Sequence, residues 1–522
     1  MDPSASCELS RTPWNLPRPN PSPRASTAPY PLFSCFRDLQ GTMDAMFDLE
    51  KEHPDLVAVS DIGDSYLKHS GEAGGHDINV VKITAAHATD DPAKVFVTGG
   101  HHSREFAPPE LVMRLAERLA KGYGVDADIT WILDTTEIHI ITHVNPDGRV
   151  KAETLDYYMG ADGNWVYGFS LWRKNVNPGS NNTCPSQAFG VDLNRNYDWW
   201  WGNLTFEGAS DDPCASDYHG TKPESKPKVQ AVVDYAKGLF PEGQRKGDPV
   251  AEMNAPYGED ITGVFVDVHS SGGLTYYPWG HDNITSADND SLEALGRKMS
   301  HYPEHVLWAG GHPDFLYPVS GDASDYMYAH LGVASAGLEI GDDFYQDCGR
   351  FESKVYPENL KSLMYAIKLA RRPNALVKGP DVFNLTAMPS PLRAGGIQVT
   401  ASASDSKLVN IPGYAEFPTG DQDVVKVELY LNVHPDKYDA DKDKMYTLLP
   451  DASSGSGMVS FKESISTNGL GSGRHALYAQ ATDSDGYPGP ISSVFFVVND
   501  NKRGKSGKSS KTPKSAKSSK KV

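Results

Sequence analysis

An α/β sheet followed by an all-β sandwich is the architecture the sequence predicts, and three observations predict it. Between residues 57 and 340, short apolar strands alternate with amphipathic helical stretches, as in α/β folds. From Gly396 to Asn499 the helical periods vanish, and strands of period two alternate with turns. Two strands of the first part break into glycine beside a histidine, at Gly99-Gly100-His101-His102 and at His269-Ser270-Ser271-Gly272. Open α/β sheets put their sites at such strand ends.

Taken in order, residues 1–34 are rich in Pro and Ser and read as a disordered segment. Phe36 to His53 reads as a helix, with Leu39, Met43, Met46 and Phe47 on one face and Pro54 closing it. Val57–Ile62 and Ile78–Ile83 read as strands, and Val95–Thr98 as the strand entering the first histidine motif. Glu110–Leu119 is helical, since Leu111, Leu115 and Leu119 recur at i+4. Glu137–Val144 is a strand stopped by the turn Asn145-Pro146-Asp147-Gly148. Residues 156–220 read as a long functional loop section. Cys184 and Cys214 bracket its second half, either as two free thiols or as a bridge closing about 30 residues, which would contribute roughly 3–4 kcal/mol. Pro227–Leu239, Leu292–Ser300, Ser324–Leu331 and Tyr356–Ala370 read as helices, and Gly263–Val268 and Ala334–Ile340 as buried strands. In the C-terminal part the strands are Ile397–Ala403, Val424–Val433, Met458–Ser464, Arg474–Ala481 and Ser493–Val498. Residues 501–522 form a Lys/Ser-rich tail with nine Lys/Arg and no acid, which reads as solvated and suits an anionic surface.

Composition narrows the function. The 522 residues are enough for roughly three domains, and the net charge of −19 argues against a nucleic-acid-binding body. No apolar run reaches the ~20 residues of a membrane span, so the chain reads as soluble. Five cysteines without a Cys-x-x-Cys exclude a zinc finger or thioredoxin motif. Sequons at Asn181, Asn203, Asn283, Asn289 and Asn384 favour secretion mildly, although no signal peptide opens the chain.

The chemistry concentrates at the strand ends. His102 and Glu105, three apart, can face one point, and an imidazole with a carboxylate suits zinc. His269 supplies a second imidazole after another buried strand. Glu339 is the one charge in its apolar strand, where a carboxylate is costly unless paired or functional.

These motifs resemble the zinc metallocarboxypeptidases of the carboxypeptidase A/B type. The matching pieces are His102-Ser103-Arg104-Glu105, Asn145-Pro146-Asp147-Gly148, Trp172-Arg173-Lys174, Gly190-Val191-Asp192-Leu193-Asn194-Arg195-Asn196, Tyr218-His219-Gly220, His269-Ser270 with Tyr277-Pro278-Trp279-Gly280, Tyr317-Pro318 with Ser320-Gly321, and Leu338-Glu339. They run in family order from about Cys35 to Arg372. The resemblance implies a mixed twisted sheet with helices on both faces. It implies one Zn2+ on His102, Glu105 and His269, with His101 only a neighbour. It further implies Glu339 as general base and Arg173 at the developing oxyanion, with Arg195, Asn194 and Tyr317 on the substrate's C-terminal carboxylate. Arg104 would contact substrate further from the cut, and Cys184–Cys214 would be a disulfide, which points to the secretory pathway or outside the cell.

The expected division is therefore a catalytic region at 35–375, a linker at 376–395, an immunoglobulin-like or fibronectin-like sandwich at 396–500, and the tail. Peptide or protein C-termini are the expected partners. At the specificity pocket, Ser324 falls on the base position, and Asp322 replaces a common glycine, so mixed specificity with some affinity for basic ends is expected. Ser271 stands where an aromatic is frequent, which opens that subsite. Fewer than 40 residues precede the match, so no activating propeptide is expected, and a truncated start would explain both this and the missing signal peptide. The competing readings are a catalytically silent binding relative and a matrix-associated protein in which sandwich and tail are the function.

Overall fold

The computed structural model describes residues 34–85, 91–159, 165–179, 184, 188–203, 208–240, 250, 253–311, 317–392, 395–406, 422–450 and 458–499. The N-terminal segment up to residue 33, the basic tail and the Asn181 sequon lie outside the described residues.

Among the described residues, ten strands precede residue 340. They are β1 (Val57–Asp64), β2 (Asp77–Ile83), β3 (Ala93–Gly99), β4 (Thr136–Ile141), β5 (Leu155–Met159), β6 (Trp165–Phe169), β7 (Val264–His269), β8 (Leu274–Tyr276), β9 (Val306–Trp308) and β10 (Ala334–Glu339). Eight of them form one mixed sheet in the order β1-β2-β4-β3-β7-β10-β8-β9, and β5 and β6 make a separate hairpin. The centre of the sheet is parallel: β3 pairs with β4 and β7, and β7 with β10. Antiparallel pairs flank this centre, β1–β2–β4 on one side and β10–β8 on the other, and the last pair, β8–β9, is parallel again. Parallel strands are covered on both faces and read as continuous apolar runs, and every residue of β7 is buried.

Side-chain alternation along β3 separates the two helical layers. Phe96 meets Tyr235 of the Pro227–Leu239 helix on one face. Gly99, on the other, lies against Pro108 and Val112 of the Ala107–Gly122 helix.

Register sets the height of each strand end. Gly99 of β3 pairs with Val268, and His269 of β7 pairs with Glu339 of β10. The carboxyl ends of the three adjacent parallel strands are therefore level.

After residue 380 follow β11 (Asp381–Met388), β12 (Gly396–Ser404), β13 (Val424–Leu431), β14 (Lys444–Leu448), β15 (Val459–Ser466), β16 (Gly473–Asp483) and β17 (Ser492–Val498). They form a three-stranded sheet, β11-β12-β15, and a four-stranded sheet, β14-β13-β16-β17. Val399 and Phe461 of the first sheet share one core with Leu429, Leu477 and Phe496 of the second, which is a β sandwich. It touches the α/β part at buried polar contacts. Lys298, fully buried, donates to Gly379 O at 2.6 Å and lies 3.6 and 3.7 Å from Asp405 and Asp381. Asp128 accepts from the Ser493 backbone N–H at 2.7 Å.

Several elements differ from the expected ones. The helix expected at Glu110 begins at Ala107, because Pro108 and Pro109 fit a first turn, where no intrahelical N–H is needed. A helix at Ala127–Thr135, capped by the Asp126 side chain on the N–H groups of Asp128 and Ile129, was not expected. The loop section at 156–220 carries most of the β5–β6 hairpin, and the 376–395 span expected as linker carries β11. The expected strand list also omitted β8, β9 and β14, all of five residues or fewer.

Lys298→Met removes the cation facing two buried carboxylates. It is expected to lower stability by about 3 kcal/mol, the scale for breaking a buried ion pair, read as a lower urea midpoint.

Candidate functional site

β3 stops at Gly99, and Gly100 takes a left-handed φ of +69°. Its Cα lies so close to the neighbouring chain that a Cβ would come within 2.9 Å of Thr142 O. This tight turn delivers His101, His102 and Glu105 to the strand end before the Ala107–Gly122 helix begins.

His102 Nδ1 lies 2.8 Å from Glu105 Oε1 and 3.1 Å from His269 Nδ1, and His269 Nδ1 lies 3.2 Å from Glu105 Oε2. All three residues are buried. The far nitrogen of each imidazole meets a carboxylate: His102 Nε2 is 3.1 Å from Asp192 Oδ1, and His269 Nε2 is 2.7 Å from Asp267 Oδ2. A carboxylate only accepts, so each Nε2 carries the proton and each Nδ1 presents a lone pair. Two lone pairs and a carboxylate then converge without a proton between them, an arrangement that fits a cation. The spacings sit near the ~3.4 Å ligand–ligand edge of a tetrahedron with zinc's ~2.1 Å bonds.

The charges around these atoms are coupled. Burial pushes Asp192 up, but Arg173, which donates to it at 2.9 and 3.0 Å, and His102 hold it well below the usual carboxylate range. Among the described residues Glu339 makes no ion pair, and burial together with the Glu105 charge pushes it up to about 8. A divalent ion alongside would oppose that shift.

A cleft of about 240 Å³ opens over these groups. His102, Arg104, Glu105, Arg173, Asn194, Arg195, Tyr317, Asp322 and Glu339 line it, so one wall gathers nearly every residue singled out in the sequence. His269 sits behind the lining at the distances given. Asn194 and Arg195 come from a 3-10 turn, Leu193–Arg195, capped by Asp192, which accepts from Asn194 N at 3.0 Å. Tyr317 is 41% exposed at the rim. Arg104 stacks on Phe344, its guanidinium carbon 3.9 Å from the ring centre.

At the far end, Asp322 Oδ1 caps the Ala323–Leu331 helix, accepting from Ser324 N and Asp325 N at 2.8 and 3.1 Å. Burial, then Asp325, pushes the Asp322 carboxyl well above its ordinary value. Asp325 also lines the cleft but spends its oxygens on Gly280 N and His281. Ser324 is buried on the first helical turn and is not among the lining residues.

Cys184 and Cys214 are bonded. A second disulfide, Cys35–Cys348, was not foreseen, since 313 residues separate its partners and nothing local pairs them. Sequence reasoning also missed Asp192 and Asp267 as partners of the imidazoles. For Asp267 a signal existed, as it is the lone charge inside the apolar run Val264-Phe265-Val266-Asp267-Val268.

Comparison with known proteins gives one consistent result. The zinc carboxypeptidase family model matches residues 42–350. The chain is 27% identical over 315 residues to carboxypeptidase A2 of Rattus norvegicus, covering 59% of this chain and 63% of the relative. It is 28% identical over 324 residues to carboxypeptidase A1 of Sus scrofa, covering 61% and 65%. The chain thus spans less than two thirds of the length of these relatives. Among solved structures, thrombin activatable fibrinolysis inhibitor superposes with a TM-score of 0.52 at 21% identity, over 67% of this chain and 77% of that one, which supports the fold. Among the described residues, no helix is long and apolar enough to cross a membrane.

Gly100→Ala is expected to cost of order 1–3 kcal/mol, because it forces a side chain into a left-handed backbone. Thermal unfolding of the metal-free protein measures it.

Proposed function

We propose that this chain, which belongs to the zinc carboxypeptidase family, removes the last residue from peptides or proteins by hydrolysis. The observation that carries the reading is one cleft lined by converging metal-ligand atoms, an unpaired acid and a buried arginine. Lewis acidity toward a carbonyl and toward water is what a zinc ion on His102, Glu105 and His269 supplies.

The chain's own residues do the rest. Glu339, with no cation in contact and its carboxyl raised by burial, takes a proton from the attacking water and returns it to the leaving amine. Arg173, its guanidinium fixed on Asp192, offers positive charge where oxyanion character develops. Arg195 binds the free terminal carboxylate as a planar donor. Its Nη1 is spent on Asn194 O at 2.7 Å, while its Nε has no hydrogen-bond partner among the described residues, which supports a ligand-facing role. Asn194 and Tyr317 add donors to the same carboxylate, and Arg104 on Phe344 holds the chain upstream of the cut.

Asp322 supports mixed specificity. One of its oxygens caps a helix, and the carboxyl group lines the cleft, where it would meet the ammonium or guanidinium of a terminal Lys or Arg. Ser324, set back from the lining, selects little. A catalytically silent relative would lack a ligand or the base, and none is missing here. The two disulfides support an oxidising compartment, so we place the protein in the secretory pathway or outside the cell.

Glu339→Gln is expected to lower kcat by at least ~10³-fold, the scale of lost general-base catalysis, with zinc content unchanged. Peptide turnover with metal analysis of the same sample checks this, and retained turnover overturns the assignment. Asp322→Gly is expected to lower kcat/KM for peptides ending in Lys or Arg about tenfold and leave those ending in Leu nearly unchanged. A peptide set differing only in the last residue measures it.

A further inference from the structure

One buried cluster beside the metal ligands has no part in the chemistry above. Asp267 lies two residues before His269 on β7, so the two side chains share a face of the sheet. Its Oδ2 accepts from His269 Nε2 at 2.7 Å, and its Oδ1 accepts from Thr98 Oγ1 at 2.7 Å. His101 Nδ1 sits 3.0 Å from that second oxygen. On the other side of its ring, His101 Nε2 meets the Tyr197 hydroxyl at 2.8 Å. The His101 and His269 rings stack 5.5 Å apart at 24°. Thr98, His101, Tyr197 and Asp267 are all 0% exposed.

Such a cluster is expensive to assemble. A carboxylate at 0% exposure needs donors on both oxygens; Thr98 of β3 and His269 of β7 supply them, and His101 of the turn after β3 adds its ring at 3.0 Å. Each also points the same way along the chain of contacts. Asp267 can only accept, so His101 carries its proton on Nδ1, facing Asp267, and its Nε2 accepts a hydrogen bond from the Tyr197 hydroxyl. Asp267 then accepts from Thr98 and His269. The last link fixes the His269 proton on Nε2, and so leaves the Nδ1 lone pair aimed at His102 and Glu105. His102 has its own carboxylate, Asp192, held by Arg173.

We infer that Asp267, anchored by Thr98, His101 and Tyr197, is a positioning residue that sets the tautomer and orientation of His269 for metal binding. This gives His101 a role beyond that of a neighbour. The inference rests on the reading that His102, Glu105 and His269 hold zinc.

The test is zinc affinity of the full chain, by competition with a chromophoric chelator. The unaltered protein and His269→Ala are measured first. One zinc per chain, lost in His269→Ala, upholds the reading of the site; no zinc in the unaltered protein sinks that reading. Given that result, Asp267→Ala and the isosteric Asp267→Asn are expected to weaken zinc 10- to 100-fold, the usual cost of losing a ligand's outer partner. His101→Phe, which keeps the stacked ring, is expected to weaken it several-fold. The visible spectrum of the Co2+-loaded protein should shift in each variant, including those in which the metal-free protein is still fully folded by its urea midpoint, which a purely structural role would not produce. Affinities within twofold of the unaltered protein for both Asp267 variants overturn the inference and leave the ligand assignment standing. Should Asp267→Ala not fold, Asp267→Asn decides alone. A second zinc per chain that is lost in His101→Phe also overturns it, because His101, Asp267 and His269 would then be ligands themselves.

Discussion

Three parallel strands that end at the same height are the constraint on which the site depends. Pairing of Gly99 with Val268 and of His269 with Glu339 leaves no freedom in how far each strand projects. A slip of one residue in β7 would turn His269 to the other face of the sheet, because side chains alternate with a period of two. Sheet register therefore settles what no local motif can: that a histidine and a glutamate 70 positions apart in sequence stand side by side above the same edge.

Charge balance is the second constraint, and it follows from the first. Level strand ends bring Glu105, Asp267 and Glu339 within one buried region, and the Leu193–Arg195 turn adds Asp192. Arg173 is the cation these acids share, lying 2.9 Å from Asp192 and 3.8 Å from Glu105. Buried acids in such excess over cations are costly, and neutral imidazoles do not repay them. A divalent cation among His102, Glu105 and His269 would. The same setting accounts for the raised Glu339: burial and the Glu105 charge outweigh His269 and Arg173, so it gives up its proton reluctantly. The groups that would hold a metal and the group that would move a proton are thus two outcomes of one electrostatic problem.

Much of this was legible in the sequence because the chemistry is written at strand ends. His102, Glu105, His269 and Glu339 each follow or close an apolar run, and period and turn signals located those runs within a few residues. What was not legible has physical reasons. The Ala127–Thr135 helix begins at a cap just after another helix ends, and its period is short. The β5–β6 hairpin lies among loops whose composition masks it. β11 was read as linker because it is half exposed and a bulge between Phe383 and Thr386 interrupts its alternation. Asp192 was passed over because its contact with His102 spans 90 residues and has no sequence period, and Asp267 because a lone acid two residues before His269 does not by itself show what it touches. Cys35–Cys348 is the same case: cysteine counting left a thiol over, and only the fold pairs these two.

The sandwich raises a different question, because it adds nothing to the cleft. No described residue lining the cleft lies beyond Phe344. The sandwich instead meets the α/β part through Ile491, buried in the α/β core, and through polar contacts of Lys298 and Asp128, which lie on helices outside that lining. Both contacts are buried or half-buried and polar, and such contacts are costly unless geometry is held. They therefore favour one docked orientation over many, where an apolar patch of the same size would tolerate sliding. The Cys35–Cys348 bond acts near the other boundary. It ties the segment carrying Phe36, which packs on Phe106 and Phe351, to the chain that leaves the cleft after Glu339. The chain thus spends its cross-link where the residues flanking Glu105 and Glu339 must not drift apart, and its buried ion pairs where an appended module must not swing.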